Sequence, residues 1–199
     1  EPPAPGMCSL SEWQSAQGNL DAATLLPLLG QLIDAVRALQ RRGMQGLLLN
    51  PRQILLNEHG ALMLLPELAA VLPGVPRQRL PVDAFPLAPE LRGAGEVDGR
   101  ADQFAVAALV YWLLCGQWPE AARVATSAAS RYVPLARLIE SVPAGWDGVL
   151  ARALAPQATQ RYEALSELQF NLQQLFERDT ETRVAPGWRG RWWRFWRYF

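Results

Sequence analysis

The sequence predicts a mainly α-helical (α+β) domain with short β-hairpins. Apolar residues recur at three- and four-residue spacing between residues 21 and 42, which is typical of an amphipathic helix. Short apolar runs bounded by Gly, Pro and Asn follow, and these favour buried strands. At 199 residues and 50% hydrophobic, the chain can bury one good core.

The first elements are expected to be an extended segment and two helices. Residues 1–7 are rich in Pro, which favours extended backbone. Ser9 or Ser11 can cap a short helix, and Asn19 or Asp21 can open a longer one. The longer helix should end at an Arg-Arg-Gly sequence, because cations suit the negative end of the helix dipole and Gly breaks the helix.

The next region, Gly43–Ala70, contains three apolar runs at Leu47–Leu49, Ile54–Leu56 and Ala61–Leu65. A turn-like sequence, residues 57–60, separates the last two runs. These features predict a buried β-hairpin with a strand-like loop before it. By themselves they fit any hairpin that follows a helix.

Composition excludes several kinds of chemistry. All 19 basic residues are Arg, so no Lys is available for a phosphate contact or a Schiff base. Cys8 and Cys115 lie far apart in the sequence, which makes a disulfide framework improbable and a reducing compartment the default. The single histidine, His59, falls in a turn and is expected to be exposed rather than catalytic. Residues 183–199 hold five Arg and no acid, which leaves the body with about −5 charge and argues against nucleic-acid binding by the domain.

The apolar frame of residues 43–56, GMQGLLLNPRQILL, resembles the catalytic segment of eukaryotic-type Ser/Thr protein kinases, G-I-V-H-R-D-L-K-P-x-N-I-L-L. In this resemblance Leu48 stands where the family has its catalytic Asp. Gln53 stands at the metal-binding Asn, and Pro66 at the Asp of Asp-Phe-Gly. The apolar positions of the family's segment are thus retained, whereas its catalytic and metal-binding residues are replaced.

Three later motifs strengthen the resemblance. Ala88-Pro89-Glu90 reproduces the family's Ala-Pro-Glu, and residues 98–119 resemble its long buried helix with Asp102 in place as a structural cap. Residues 154–172 resemble the closing motif, with Arg161 at the family's Arg. The resemblance implies a buried ion pair between Glu90 and Arg161.

The implied organisation is a kinase-like C-terminal lobe over residues 8–182, with residues 1–7 as an extended segment and residues 183–199 as a tail. The N-lobe is absent from this chain, and it either lies upstream of Glu1 or is dispensed with. Residues 71–86 would be the counterpart of the activation segment, and they contain no Ser, Thr or Tyr to phosphorylate. Glu67 is the nearest carboxylate that could replace the lost Asp.

The tail combines Arg with aromatic residues at helical spacing, which suits the headgroup region of a membrane. A transmembrane helix beyond Phe199 would account for such a segment. Contact with a protein partner and stacking on nucleic acid are the alternatives. The residues concerned are Trp188, Arg191, Trp192, Trp193, Arg194, Phe195, Trp196, Arg197 and Phe199.

The sequence therefore predicts a catalytically inactive kinase-like module, a pseudokinase, that binds an unidentified protein partner at the cytoplasmic side of a membrane. No cofactor, metal, nucleic acid or small-molecule substrate is expected. The alternative is a divergent phosphotransferase whose missing groups come from an upstream N-lobe or from a partner.

Overall fold

The helices and strands follow the predicted order, with one strand that the sequence did not predict. The computed structural model describes residues 6–65, 86–92, 97–123 and 132–183. The strands of these residues are β1 (Met7–Ser9), β2 (Ile54–Asn57) and β3 (Leu62–Leu64). The helices are α1 (Leu10–Gln17), α2 (Ala22–Gln40), α3 (Pro89–Arg92), α4 (Gly99–Cys115), α5 (Glu120–Arg123), α6 (Trp146–Ala153) and α7 (Leu165–Arg183).

Side-chain caps fix where the first two helices begin. Ser9 caps α1 in a capping box, in which its hydroxyl accepts from the Glu12 amide at 3.2 Å and the Glu12 carboxylate accepts from the Ser9 amide at 2.8 Å. Asp21 caps α2 by accepting from the Thr24 amide at 2.7 Å. Of the residues that the sequence offered as caps, the structure uses these two.

The three strands form one antiparallel sheet in the order β1-β2-β3. Cys8 pairs with Leu56, and Leu55 pairs with Met63. Met7 therefore belongs to a strand, although the sequence assigned it to an extended terminal segment. A three-residue strand carries too short an alternation to be recognised in the sequence, and its pairing with β2 defines it. The run Leu47–Leu49 is an extended loop with a single β-bridge at Leu48.

The core is built around α4. Its residues from Ala101 to Cys115 are all buried, because α2, α6 and α7 pack around it. A helix covered on every side has no polar face, which explains why the sequence of α4 is apolar almost throughout. The sheet adjoins this bundle through β3, which contacts α2.

Within the described residues, α2 is long and apolar enough to cross a membrane by length and composition. Core helices of globular proteins pass the same test. Here Leu29, Ile33 and Val36 are at most 1% exposed and face the core, and Gly30 lies against Gln169 of α7. The contacts of α2 are those of a core helix.

Helix α7 reaches Arg183, so the first residue of the predicted tail is helical. The rest of the tail and residues 66–85 lie outside the described residues.

Candidate functional site

The loop between α2 and β2 carries the positions that the kinase resemblance assigns to catalysis. Leu47, Leu48 and Leu49 are 1%, 2% and 1% exposed and belong to the core. Gly46 has φ of +68°, and a Cβ atom there would lie 2.7 Å from Val97 Cγ1. Glycine is therefore required by both the backbone conformation and the close approach. The loop is packed onto the start of α4 without room for larger side chains.

Asp102 holds this loop on α4. Its Oδ1 accepts from the Leu47 amide at 2.6 Å, and its Oδ2 accepts from Gln40 Nε2 at 2.8 Å. Asp102 is 0% exposed. Burial raises the pKa of the Asp102 carboxyl to about 6, although these hydrogen bonds oppose the rise.

Asp102 is not the helix cap that the sequence predicted. The residue that caps α4 is Asp98, whose carboxylate accepts from the Arg100 amide at 2.8 Å. Asp102 lies four residues further along, inside the helix, and its side chain points away from the helix's own amides. An Asp in the first turn satisfies the sequence pattern of a cap, and the tertiary contact with Leu47 decides its role.

Gln53 occupies the other catalytic position in the described part of the loop. Its backbone amide donates to Asn50 O at 2.9 Å, and its backbone oxygen accepts from the Leu65 amide, also at 2.9 Å. Its side-chain Oε1 is buried and has no hydrogen-bond partner among the described residues. A buried acceptor without a donor is unfavourable by about 1–3 kcal/mol.

The predicted contact between Glu90 and Arg161 is present. Arg161 Nη1 and Nη2 donate to the two Glu90 oxygens at 2.7 and 2.9 Å, a bidentate pair. The Arg161 side chain is 0% exposed and that of Glu90 is 13% exposed. Arg161 also donates to the backbone oxygens of Ala155, Pro156 and Arg100. This pair joins α3 to the loop before α7 and to the start of α4.

Solved structures that match this backbone arrangement include kinase domains. The PknI kinase domain of Mycobacterium tuberculosis matches with a TM-score of 0.66 and 24% identity, over 85% of this chain and 62% of that one. A second structure of that domain matches with a TM-score of 0.68 and 23% identity, over 86% and 63%. The chain has the fold of a protein kinase domain. At this level of identity the similarity establishes the fold.

The kinase fold predicted from the sequence is thereby confirmed, and its helical content and small sheet correspond to the C-terminal lobe. The chain spans about three fifths of the length of the PknI domains that it matches. No protein-family model matches the sequence, and no curated protein does.

Kinases of this fold use magnesium and ATP, and the side chains of the described loop are a poor match for the metal ion. Leu48 and Gln53 offer no carboxylate, and a single neutral amide oxygen is a poor match for Mg²⁺. Among the described residues, no three His, Cys, Asp or Glu side chains are grouped to hold a metal ion. Pro66 and Glu67 lie outside the described residues.

The tail positions also lie outside the described residues. They comprise Trp188, Arg191, Trp192, Trp193, Arg194, Phe195, Trp196, Arg197 and Phe199.

Two glutamines that sequence reasoning missed, the half-buried Gln40 and the buried Gln103, connect the motifs. Gln40 binds Asp102, as described above. Gln103 is 1% exposed, and its amide donates to the Tyr162 and Ala164 oxygens and accepts from the Tyr162 amide, between 3.0 and 3.2 Å. The available signal was a polar residue inside an otherwise apolar helix, which must find partners if it is buried.

Proposed function

We propose that this chain is a catalytically inactive kinase-like module that works by binding a protein partner. The observation that carries the proposal is Leu48, which stands at the position of the catalytic Asp and is 2% exposed. A leucine cannot accept the proton of a substrate hydroxyl. Its burial makes it part of the core, so this position supports the fold instead of facing a substrate.

The test is a pair of measurements on the 199-residue chain. We expect no phosphoryl transfer from labelled ATP and no magnesium-dependent rise of the melting temperature with ATP. Leu48→Asp is the informative variant, because the burial predicts that it destabilises by more than the roughly 2–5 kcal/mol of a core Leu→Ala change. Magnesium-dependent stabilisation of the wild type together with turnover would overturn the proposal.

Gln53 favours the alternative, a divergent phosphotransferase completed by an N-lobe or a partner. Its Oε1 has no donor within the described part of the chain, and a bound ligand could satisfy this acceptor. Gln53→Leu removes this acceptor and keeps the approximate size. If the alternative is correct, turnover in the presence of the completing component falls in this variant. If the module is inactive, the change leaves nucleotide binding absent and raises stability.

A protein-binding role is supported by two apolar side chains beside this loop. Met63 and Leu65 are 49% and 48% exposed at the end of the hairpin. Large apolar side chains that lie together on a surface favour protein contact. A photo-crosslinking residue at position 63 is expected to form a discrete adduct in cells. The same residue at Glu58, a turn position with 77% exposure, serves as the control and should give none.

We further propose that residues 183–199 tether the domain to the cytoplasmic side of a membrane. The support is compositional, since Arg and Trp together suit lipid phosphates and the interfacial region. Co-sedimentation with anionic vesicles should be strong for the whole chain and weak for residues 1–182. Neutral vesicles should bind less of the whole chain. Equal sedimentation of both chains with anionic vesicles would remove the tether from the proposal.

A further inference from the structure

Asp102 is a fully buried carboxyl group without a cationic partner among the described residues. By comparison, the Glu90 carboxylate of the ion pair described above lies against the Arg161 guanidinium. Asp102 instead has hydrogen bonds from two neutral groups, the Leu47 amide and Gln40 Nε2. A buried charge without an opposite charge favours proton uptake, and burial raises the pKa of Asp102 accordingly.

The groups around Asp102 come from three elements. Gln40 faces it from the end of α2, and the Gly46 and Leu47 amides face it from the loop. On its own helix the nearest charged group is Asp98, whose negative charge also favours proton uptake. Arg100 is engaged with Asp98 at 3.6 Å. Each direct partner of Asp102 is a donor, which suits the ionised carboxylate.

A protonated Asp102 needs an acceptor, and Gln40 carries the one available side-chain acceptor among these partners. A primary amide exchanges its oxygen and nitrogen by rotation through half a turn. The other hydrogen bond of Gln40 Nε2, to Gly99 O, is long at 3.5 Å. Its loss on rotation therefore costs little free energy. In the rotated state Asp102 Oδ2 donates its proton to Gln40 Oε1.

We propose that Asp102 and Gln40 form a proton-binding switch that weakens one contact between the loop of residues 43–53 and α4, the hydrogen bond from the Leu47 amide to Asp102. A proton from solvent binds Oδ2, and the Gln40 amide rotates so that its Oε1 accepts this proton. The rotation breaks the hydrogen bonds from Gln40 Nε2 to Asp102 Oδ2 and to Gly99 O, and no covalent bond other than the new O–H is made or broken. The Leu47 amide then donates to a neutral carboxyl group instead of a carboxylate. Hydrogen bonds to a charged acceptor are about twice as strong as those to a neutral one. Acid therefore weakens the hydrogen bond from the Leu47 amide and at the same time removes a buried charge, so the fold stays in place.

The test is an NMR pH titration of the whole chain. Three signals should move with one shared midpoint between pH 5 and 7: the Asp102 carboxyl carbon, the Gln40 side-chain amide and the Leu47 amide proton. The Leu47 proton should move upfield as the pH falls, since its acceptor becomes weaker. A midpoint of Asp102 below pH 4.5, or a Gln40 amide that does not follow Asp102, would overturn the proposal.

Two variants test whether Asp102 or Asp98 causes the pH dependence of the Gln40 and Leu47 signals. Asp102→Asn should abolish the titration of the Gln40 and Leu47 signals. Asp98→Asn preserves a helix cap, removes the neighbouring negative charge and releases Arg100 from its ion pair. Both changes disfavour proton uptake by Asp102, so all three signals should still titrate, with a lower midpoint. Loss of the Leu47 titration in Asp98→Asn would show that Asp98 is the titrating group and refute the switch. The wild-type titration decides the question even if Asp102→Asn does not fold.

Discussion

At the scale of single residues, Glu90 and Asp102 are buried in different ways. Glu90 is compensated by a bidentate guanidinium, whereas Asp102 relies on neutral donors. Removing one member of a buried ion pair leaves an uncompensated charge. Removing the charge of Asp102 relieves a penalty instead. The two sites therefore predict opposite responses to charge-neutralising substitutions.

Glu90→Ala should lower the free energy of unfolding by roughly 3–5 kcal/mol, and Arg161→Ala by a similar amount. Each change leaves the other member of the ion pair without its opposite charge. The loss of stability should be greater for Glu90→Ala, because the Arg161 guanidinium that remains is fully buried. Chemical denaturation measures the effect. Arg100→Ala is the matched control, because it breaks a longer and more exposed ion pair with Asp98 and should cost less than about 1 kcal/mol. Equal stability of Glu90→Ala and wild type would disprove a structural role for the pair.

Asp102 should make the wild-type chain less stable as the pH rises from about 4 to 6. Its pKa is 3.8 when unfolded and about 6 when folded, so the folded state binds more protons in this window. Where the folded state binds more protons, the free energy of unfolding falls as the pH rises, here by about 2 kcal/mol between pH 4 and 6. In Asp102→Asn this pH-dependent contribution to the free energy of unfolding should be absent.

The measurement is the free energy of unfolding of both proteins at pH 4, 5, 6 and 7. Their difference isolates Asp102 from the other carboxyl groups. A difference that stays constant across the window would contradict the raised pKa.

At the scale of the elements, two glycines pack against neighbours with different tolerance. Gly30 lies in α2, and a Cβ there would meet the flexible end of Gln169 at 3.4 Å. Gly46 has positive φ, and its Cβ would overlap Val97 at 2.7 Å and approach Leu91 at 3.1 Å. The first glycine leaves room for a methyl group and the second does not.

Gly30→Ala should stabilise the chain by about 0.5–1 kcal/mol, because alanine is the better helix former and the space is available. Gly46→Ala should destabilise it by about 1–3 kcal/mol through a left-handed backbone and a clash. Thermal melting of the two variants beside the wild type compares them directly. A destabilising Gly30→Ala would mean that α2 and α7 are closer than described, and a neutral Gly46→Ala would mean that the loop can move away from α4.

The elements also differ in how far the sequence could specify them. The caps Ser9 and Asp21 were among the predicted candidates because capping is a local interaction. Strand β1 was missed, since its hydrogen bonds come from β2 more than 40 residues away. Asp102 was misassigned as a cap for the same reason. Its partner Leu47 is distant in sequence, and local pattern gives no information about it.

At the scale of the whole molecule, the described elements share one core. Buried residues from every helix and from β2 form a single cluster that includes Leu10, Ile33, Leu48, Phe104, Trp146 and Leu172. Helix α4 lies at its centre and contacts α2, α6 and α7. A continuous core favours unfolding in one step.

The described lobe should therefore unfold cooperatively, with far-UV circular dichroism and the radius of gyration following the same denaturation curve. Both probes lose their signal together when one core supports all elements. Phe104→Ala, at the middle of the cluster, should shift both curves by an equal amount and cost about 3–5 kcal/mol. Phe170→Ala, an exposed position at 61%, is the control and should shift neither appreciably. Two separated transitions would show that the lobe contains independent units.

The sequence by itself determined the order of the elements and the absence of a carboxylate at Leu48 and Gln53. The order follows from local periodicity and the absence of carboxylates from residue identity, whereas the pairing of Glu90 with Arg161 was implied by the resemblance to protein kinases. Tertiary structure decided that Leu48 is core, that Gln53 Oε1 lacks a donor from the residues that the structure describes, and that Asp102 holds a loop instead of capping its helix. Burial and hydrogen-bond partners depend on residues brought together from distant parts of the chain, and this is the physical reason that no local pattern could specify them.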